Sequence, residues 1–230
     1  MTAAVVPRVL APSPGYGPIV ISGVRWQTYQ ALLDDLGDRR IRLTYDRGNL
    51  EIMAPQFRHE SYAGVLGQLV KVLAGAAKVR VKSAWSTTFR REDLERGLEP
   101  DRCFYIRNLG AVLGKLEIDL GTDPPPDLAI EIDITSSCLD RLGVSAALGV
   151  PEVWRFDGEQ FEVLLRRDAG GYDRAEASPT FPVLPVAEVA ALLHEVVALD
   201  DATQERRVRA WVRKHAPAPG SKRGPRRTKK

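Results

Sequence analysis

The segment from Pro124 to Ser137, PPPDLAIEIDITSS, carries the side chains of this sequence best suited to chemistry. Its apolar, β-branched run reads as a buried strand, and successive side chains on a strand point to opposite faces. Asp127, Ala129, Glu131 and Asp133 then share one face, and Leu128, Ile130, Ile132 and Ile134 the other. Three carboxylates along one face of a buried strand repel one another and lose hydration. A cation relieves that conflict, and Mg²⁺ takes one or two carboxylates together with water and phosphate. The competing reading needs no ligand: the acids lie on the solvated face of a half-exposed strand.

The neighbouring elements must position this strand. Ser22 is placed to cap a helix over 24–36, which Gly37 ends. IRLTYDRGNLEIM alternates around Asp46-Arg47-Gly48-Asn49 as a hairpin. A second helix is expected over 59–77, then short strands over 79–82 and 86–90. The loop REDLERGLEPD leads into a strand over 102–107, and a further short strand is expected between Leu113 and the acidic segment. Ser136 or Ser137 is placed to cap a helix over 138–148, closed by Gly149. VPEVWRFDGEQFEVLLRR forms another hairpin about Asp157-Gly158. A strand over 172–175 and helices over 185–196 and 201–215 complete the chain. Hairpins with helices packed beside them give a mixed α/β or α+β architecture.

The 230 residues, 44% hydrophobic, suffice for one sizeable core. The organisation reads as a Pro/Gly-rich lead (1–18), a folded domain (19–199), an amphipathic helix (200–215) and a basic tail (216–230). The formal charge of +3 is misleading, because the tail alone carries six Lys and Arg and no acid, leaving the remainder net negative. A tail of that composition is expected to be disordered and able to touch nucleic acid through phosphates. Two cysteines make no disulfide framework, and the start does not read as a signal peptide; both suit a cytoplasmic protein. No stretch approaches a membrane span. The lack of CxxC and HExxH spacing argues against zinc, and the lack of phosphate-cradling glycine loops argues against nucleotide-driven chemistry.

The joint order of LEIMAPQFRHE, STTFRREDLERGLEPDRCFYI, PPPDLAIEIDITSS and LGVPEVWRFDG resembles the restriction-endonuclease-like Uma-two family of the PD-(D/E)XK nuclease superfamily. The resemblance implies a mixed β-sheet flanked by helices, with Mg²⁺ or Mn²⁺ at the sheet's edge and nucleic acid, DNA above all, as substrate. It aligns Asp101 of Pro100-Asp101 with the motif aspartate and Glu131 with the motif glutamate; Asp127 would either assist from the same face or simply cap the strand. His59-Glu60 matches the element opening the second helix, Glu60 as a further metal ligand and His59 as a phosphate contact. Glu51 could face the same site, and Arg90 and Arg91 could contact phosphate.

The departure is at the lysine. Asp133 stands at ExK spacing, and the family's lysine position, eight residues before Gly149, holds Arg141. Arginine keeps the charge and can grip phosphate in a fork, but does not readily deprotonate. Two functions follow: a metal-dependent endonuclease, or a nuclease fold kept for DNA binding or protein interaction. The apolar hairpin near Val153–Leu165 is a candidate homodimer contact, suited to cutting both strands of a duplex.

Overall fold

The computed structural model describes residues 9–10, 17–37, 39, 41–134, 137 and 139–215. The tail over 216–230, most of the lead, and Ser136 and Cys138 of the third expected helix lie outside the described residues.

One sheet comprises β1 (Val9–Leu10), β2 (Ile19–Ser22), β3 (Arg42–Asp46), β4 (Asn49–Met53), β6 (Phe89–Arg91) and β7 (Arg96–Leu98), in the order β1-β2-β4-β3-β7-β6. A second comprises β5 (Lys82–Trp85), β8 (Arg102–Tyr105), β9 (Leu128–Ile132), β10 (Glu152–Phe156), β11 (Phe161–Arg166) and β12 (Tyr172–Ala175), in the order β12-β11-β10-β9-β8-β5. Its β9 and β10 are parallel, the other pairs antiparallel. A parallel pair needs a long crossover, and here that crossover carries the helix α4 (Arg141–Ala147). The remaining helices are α1 (Trp26–Leu36), α2 (Phe57–Ala77), α3 (Leu109–Val112), α5 (Val186–Val196) and α6 (Asp201–His215).

The acidic strand is central and buried along its whole length. Leu128, Ile130 and Ile132 pack under Leu66, Leu69 and Leu73 of α2, with Val208 and Val212 of α6 in the same core. Each such side chain contributes about 2 kcal/mol. The stripe on the last helix is therefore core packing. Ala129, on the other face, joins Val144 and Leu148 beneath α4. The hairpin β3–β4 alternates likewise: Leu43, Tyr45 and Leu50 pack against Trp26 and Tyr29 of α1, while Arg42, Thr44 and Glu51 are buried on the opposite face. Tyr29 also fixes β7, since a Cβ on Gly97 would lie 2.1 Å from its hydroxyl oxygen.

Several expectations need correcting. Ser22 ends β2 and donates to Asn49 Oδ1 at 2.8 Å, so α1 starts from Arg25 without a side-chain cap. The loop expected before Asp101 contains β7, and no strand lies between Leu113 and β9. The α4 cap is Asp140, whose Oδ1 accepts from the Gly143 amide at 2.8 Å. The hairpin proposed as a dimer contact has spent its apolar side chains internally: Val153, Phe156, Phe161 and Val163 are all buried. Among the described residues, no helix is long and apolar enough to cross a membrane.

Candidate active site

The polar face of β3–β4 meets the end of β9, the start of β8, the first turn of α2 and the first turn of α4. Asp101 precedes β8, and its amide donates to the Ile130 carbonyl at 3.1 Å. Continuing the Arg102–Ile130 pairing sets Asp101 beside Glu131 on adjacent strands. Asp101 Oδ2 accepts from the Ile132 amide at 2.6 Å. Its Oδ1 pairs with Arg42 and lies 3.5 Å from His59 Nδ1.

Arg141 is the first residue of α4, held there by the Asp140 cap. Its Nε and Nη2 donate to Glu131 Oε2 at 3.1 and 2.9 Å. Nη1 donates to the Thr44 hydroxyl at 2.7 Å, and Nη2 also donates to the Glu99 carbonyl at 2.9 Å. One guanidinium thus ties both sheets together. Glu131 Oε1 is buried and has no hydrogen-bond partner among the described residues. Burial pushes the Glu131 carboxyl above its ordinary range, and Arg141 and then Arg42 pull it back. A cleft of about 420 Å³ opens here, with His59, Glu131, Asp133, Arg141 and Arg155 in its walls.

Glu60 lies at the rim, held by Arg42 on one oxygen and by Arg102 Nη2 at 3.2 Å on the other. Burial, and next the charge of Arg42, lowers the His59 pKa to about 4, so the ring is neutral at physiological pH. Glu51 accepts from the Ser137 hydroxyl at 2.6 Å and lies 4.0 Å from Arg141. The structure therefore brings Asp101, Glu131, Arg141, His59, Glu60 and Glu51 together.

It does not bring Asp127 with them. Four residues along a strand span about 13 Å, and Asp127 Oδ2 accepts from the Ile106 and Asn108 amides at 2.6 and 2.9 Å. Asp133 pairs with Arg155, which donates to Oδ2 from Nε at 3.2 Å and from Nη2 at 2.5 Å. The repulsion expected along β9 is thus relieved acid by acid, through an arginine, two backbone amides and a second arginine. Arg91 is committed to Asp93 and the Leu120 carbonyl. Arg90 lines a separate cleft beside Lys82 and Lys115.

Sequence reasoning passed over Arg42 and Thr44. Their signal was the alternation of RLTYD, which gives one apolar face to α1 and leaves Arg42 and Thr44 on the face opposite.

Among the described residues, no three His, Cys, Asp or Glu side chains form a group able to hold an ion by themselves. The donor set nonetheless suits Mg²⁺, which needs only one or two protein carboxylates when phosphate and water complete its shell. Glu131 Oε1, a buried acceptor without a hydrogen-bond partner, is the observation that fits.

The helix-flanked mixed sheet, with Asp101 and Glu131 side by side on its interior strands β8 and β9, has the restriction-endonuclease-like fold. The family model Uma2, described as "Putative restriction endonuclease", matches residues 26–198, and the chain belongs to this family. A solved structure titled a "putative nuclease belonging to DUF820", from Anabaena variabilis ATCC 29413, shares the fold at TM-score 0.50 and 14% identity. The match covers 74% of this chain and 99% of that one. Among curated proteins there is no match.

Proposed function

We propose that this chain hydrolyses phosphodiester bonds in nucleic acid, DNA in particular, with Mg²⁺ or Mn²⁺ held by Glu131, in the wall of the cleft, and by the buried Asp101 beside it. The observation carrying this reading is the adjacency of the two carboxylates, with the free Oε1 of Glu131 beside the Arg141 fork. When bound, the cation supplies Lewis acidity to the phosphate and lowers the pKa of water. Glu131 supplies the ligand oxygen that has no other use. Asp101, fixed by the Ile132 amide, supplies the second carboxylate once Arg42 releases it to the substrate's charge. A guanidinium does not readily deprotonate, so the part of Arg141 is to hold Glu131 in place and to meet developing charge on the phosphate oxygens. It cannot serve as the base that a lysine could become. Glu60 and the neutral ring of His59 flank Asp101 from the first turn of α2, His59 as a phosphate contact and Glu60 as a further ligand.

One feature favours a second reading. Arg141 already neutralises Glu131, and Arg42 neutralises Asp101. A fold whose acids are so balanced could persist as a nucleic-acid-binding module without turnover.

Incubating supercoiled plasmid with Mg²⁺ or Mn²⁺ separates the two. The nuclease reading expects nicking by the wild type, none with chelator, none by Glu131→Ala, and faster nicking by Arg141→Lys. Cleavage that survives Glu131→Ala places the chemistry elsewhere. Activity confined to Arg141→Lys supports the binding module.

A further inference from the structure

Trp85 is the most exposed of the large aromatic side chains on the sheets, at 58%. Its backbone φ is +55°, a left-handed conformation that is a genuine outlier for a bulky residue. The outlier sits where the β5–β8 register shifts between Ser83 and Trp85. Bulges next to active sites re-aim side chains, and this one turns the indole out of the sheet. The strain brings no core packing in return, which points to use of the ring at the surface.

The ring's surroundings define its ligand. Lys71 Nζ lies 4.7 Å and the Arg102 guanidinium 5.7 Å from the indole. An open cleft of about 710 Å³ is lined by Trp85, by Phe57, which is 90% exposed at the first position of α2, and by Arg39, Arg42 and Arg102. Glu60 lines it too, so the cleft runs into the acid cluster. Flat exposed rings beside cations match a strand with unpaired bases: the rings stack on base faces and the arginines meet the phosphates. Paired bases present no such face, because their faces are buried in the duplex stack.

We propose that Trp85 and Phe57 form a stacking platform that selects unpaired nucleic acid for the site. The substrate class of the nuclease reading, on which this rests, is then single-stranded nucleic acid or duplex with a single-stranded flank.

The test is fluorescence anisotropy of an end-labelled oligothymidylate of about 15 nucleotides. The full-length protein is used in chelator, with blunt duplex of equal length as control. Trp85→Ala should weaken single-strand binding by about tenfold or more and leave duplex binding unchanged, while Trp85→Phe restores most of the affinity. Trp85→Gly should lose affinity yet melt higher, because glycine accepts the positive φ without strain. That combination cannot come from misfolding. Equal affinity of wild type and Trp85→Ala overturns the proposal, as does no single-strand binding by the wild type. A change in sedimentation of Trp85→Ala overturns it as well, since the ring would then cover a second copy. Mg²⁺-dependent cleavage of plasmid and of the labelled oligothymidylate by the same preparations distinguishes the two failures. Cleavage with Trp85-independent binding sinks only the platform. Trp85-dependent binding without cleavage of either substrate sinks only the nuclease.

Discussion

Replacing Arg141 with Met should destabilise the protein by about 3 kcal/mol at pH 8. The side chain is 12% exposed and donates four hydrogen bonds, two of them to the Glu131 carboxylate. Removing one partner of a buried ion pair costs about 3–5 kcal/mol, because the other charge is left uncompensated. The adjoining cleft admits water, which sets the expectation at the lower end. For a domain of this size that corresponds to a fall of about 6–12 °C in melting temperature. The sign of the pH dependence follows from Glu131. Its folded pKa is raised by burial and held down chiefly by Arg141, so Arg141→Met raises it further. A carboxyl with a raised folded pKa costs stability above that pKa and ceases to cost as it takes up a proton. The penalty should therefore shrink as pH falls from 8 towards 5. Urea titrations followed by tryptophan fluorescence, with Glu131→Gln and the double variant alongside, measure the coupling directly. The double variant should lose less than Arg141→Met alone. A cost below about 1 kcal/mol, or strict additivity, would refute a buried Arg141–Glu131 pair as the tie between the sheets.

Two further outcomes follow from the same geometry. Asp127→Ala strands the Ile106 and Asn108 amides and should cost about 3 kcal/mol in urea melts, while nicking per folded molecule stays at the wild-type rate; lost nicking at full stability would instead make Asp127 a metal ligand. In the metal-free protein, His59 with its depressed pKa favours the folded state fully above pH 6.5 and progressively less as pH falls towards 4; His59→Gln should flatten that part of the stability–pH curve, and an unchanged slope would mean that the imidazole is solvated.

What the sequence made legible was whatever is written in local periodicity. LAIEI marked a buried strand, and β9 is buried throughout. The tight turn at Arg47-Gly48 and the stripe of α6 were equally readable. The division into two sheets was not. β7 pairs with β3 only through Tyr45–Gly97 and Asp46–Arg96, a contact between segments some fifty residues apart, and nothing within REDLERGLEPD announces it. The site was half readable for the same reason. Asp101, Glu131 and Arg141 stood out through their motif positions. Arg42 and Thr44 did not, because the alternation of a hairpin reveals a second face without saying that another sheet covers it. Asp127 shows the converse: correct parity placed it on the face of Glu131, but distance along the strand gave it to the backbone amides of Ile106 and Asn108.

The most direct measurement of the central claim is calorimetric titration of Mn²⁺ into the full-length protein with a non-hydrolysable phosphorothioate oligonucleotide, for wild type and Glu131→Ala. If Glu131 and Asp101 hold the catalytic cation, the wild type shows saturable binding that Glu131→Ala loses while still binding the oligonucleotide. Identical Mn²⁺ isotherms for the two proteins would contradict it.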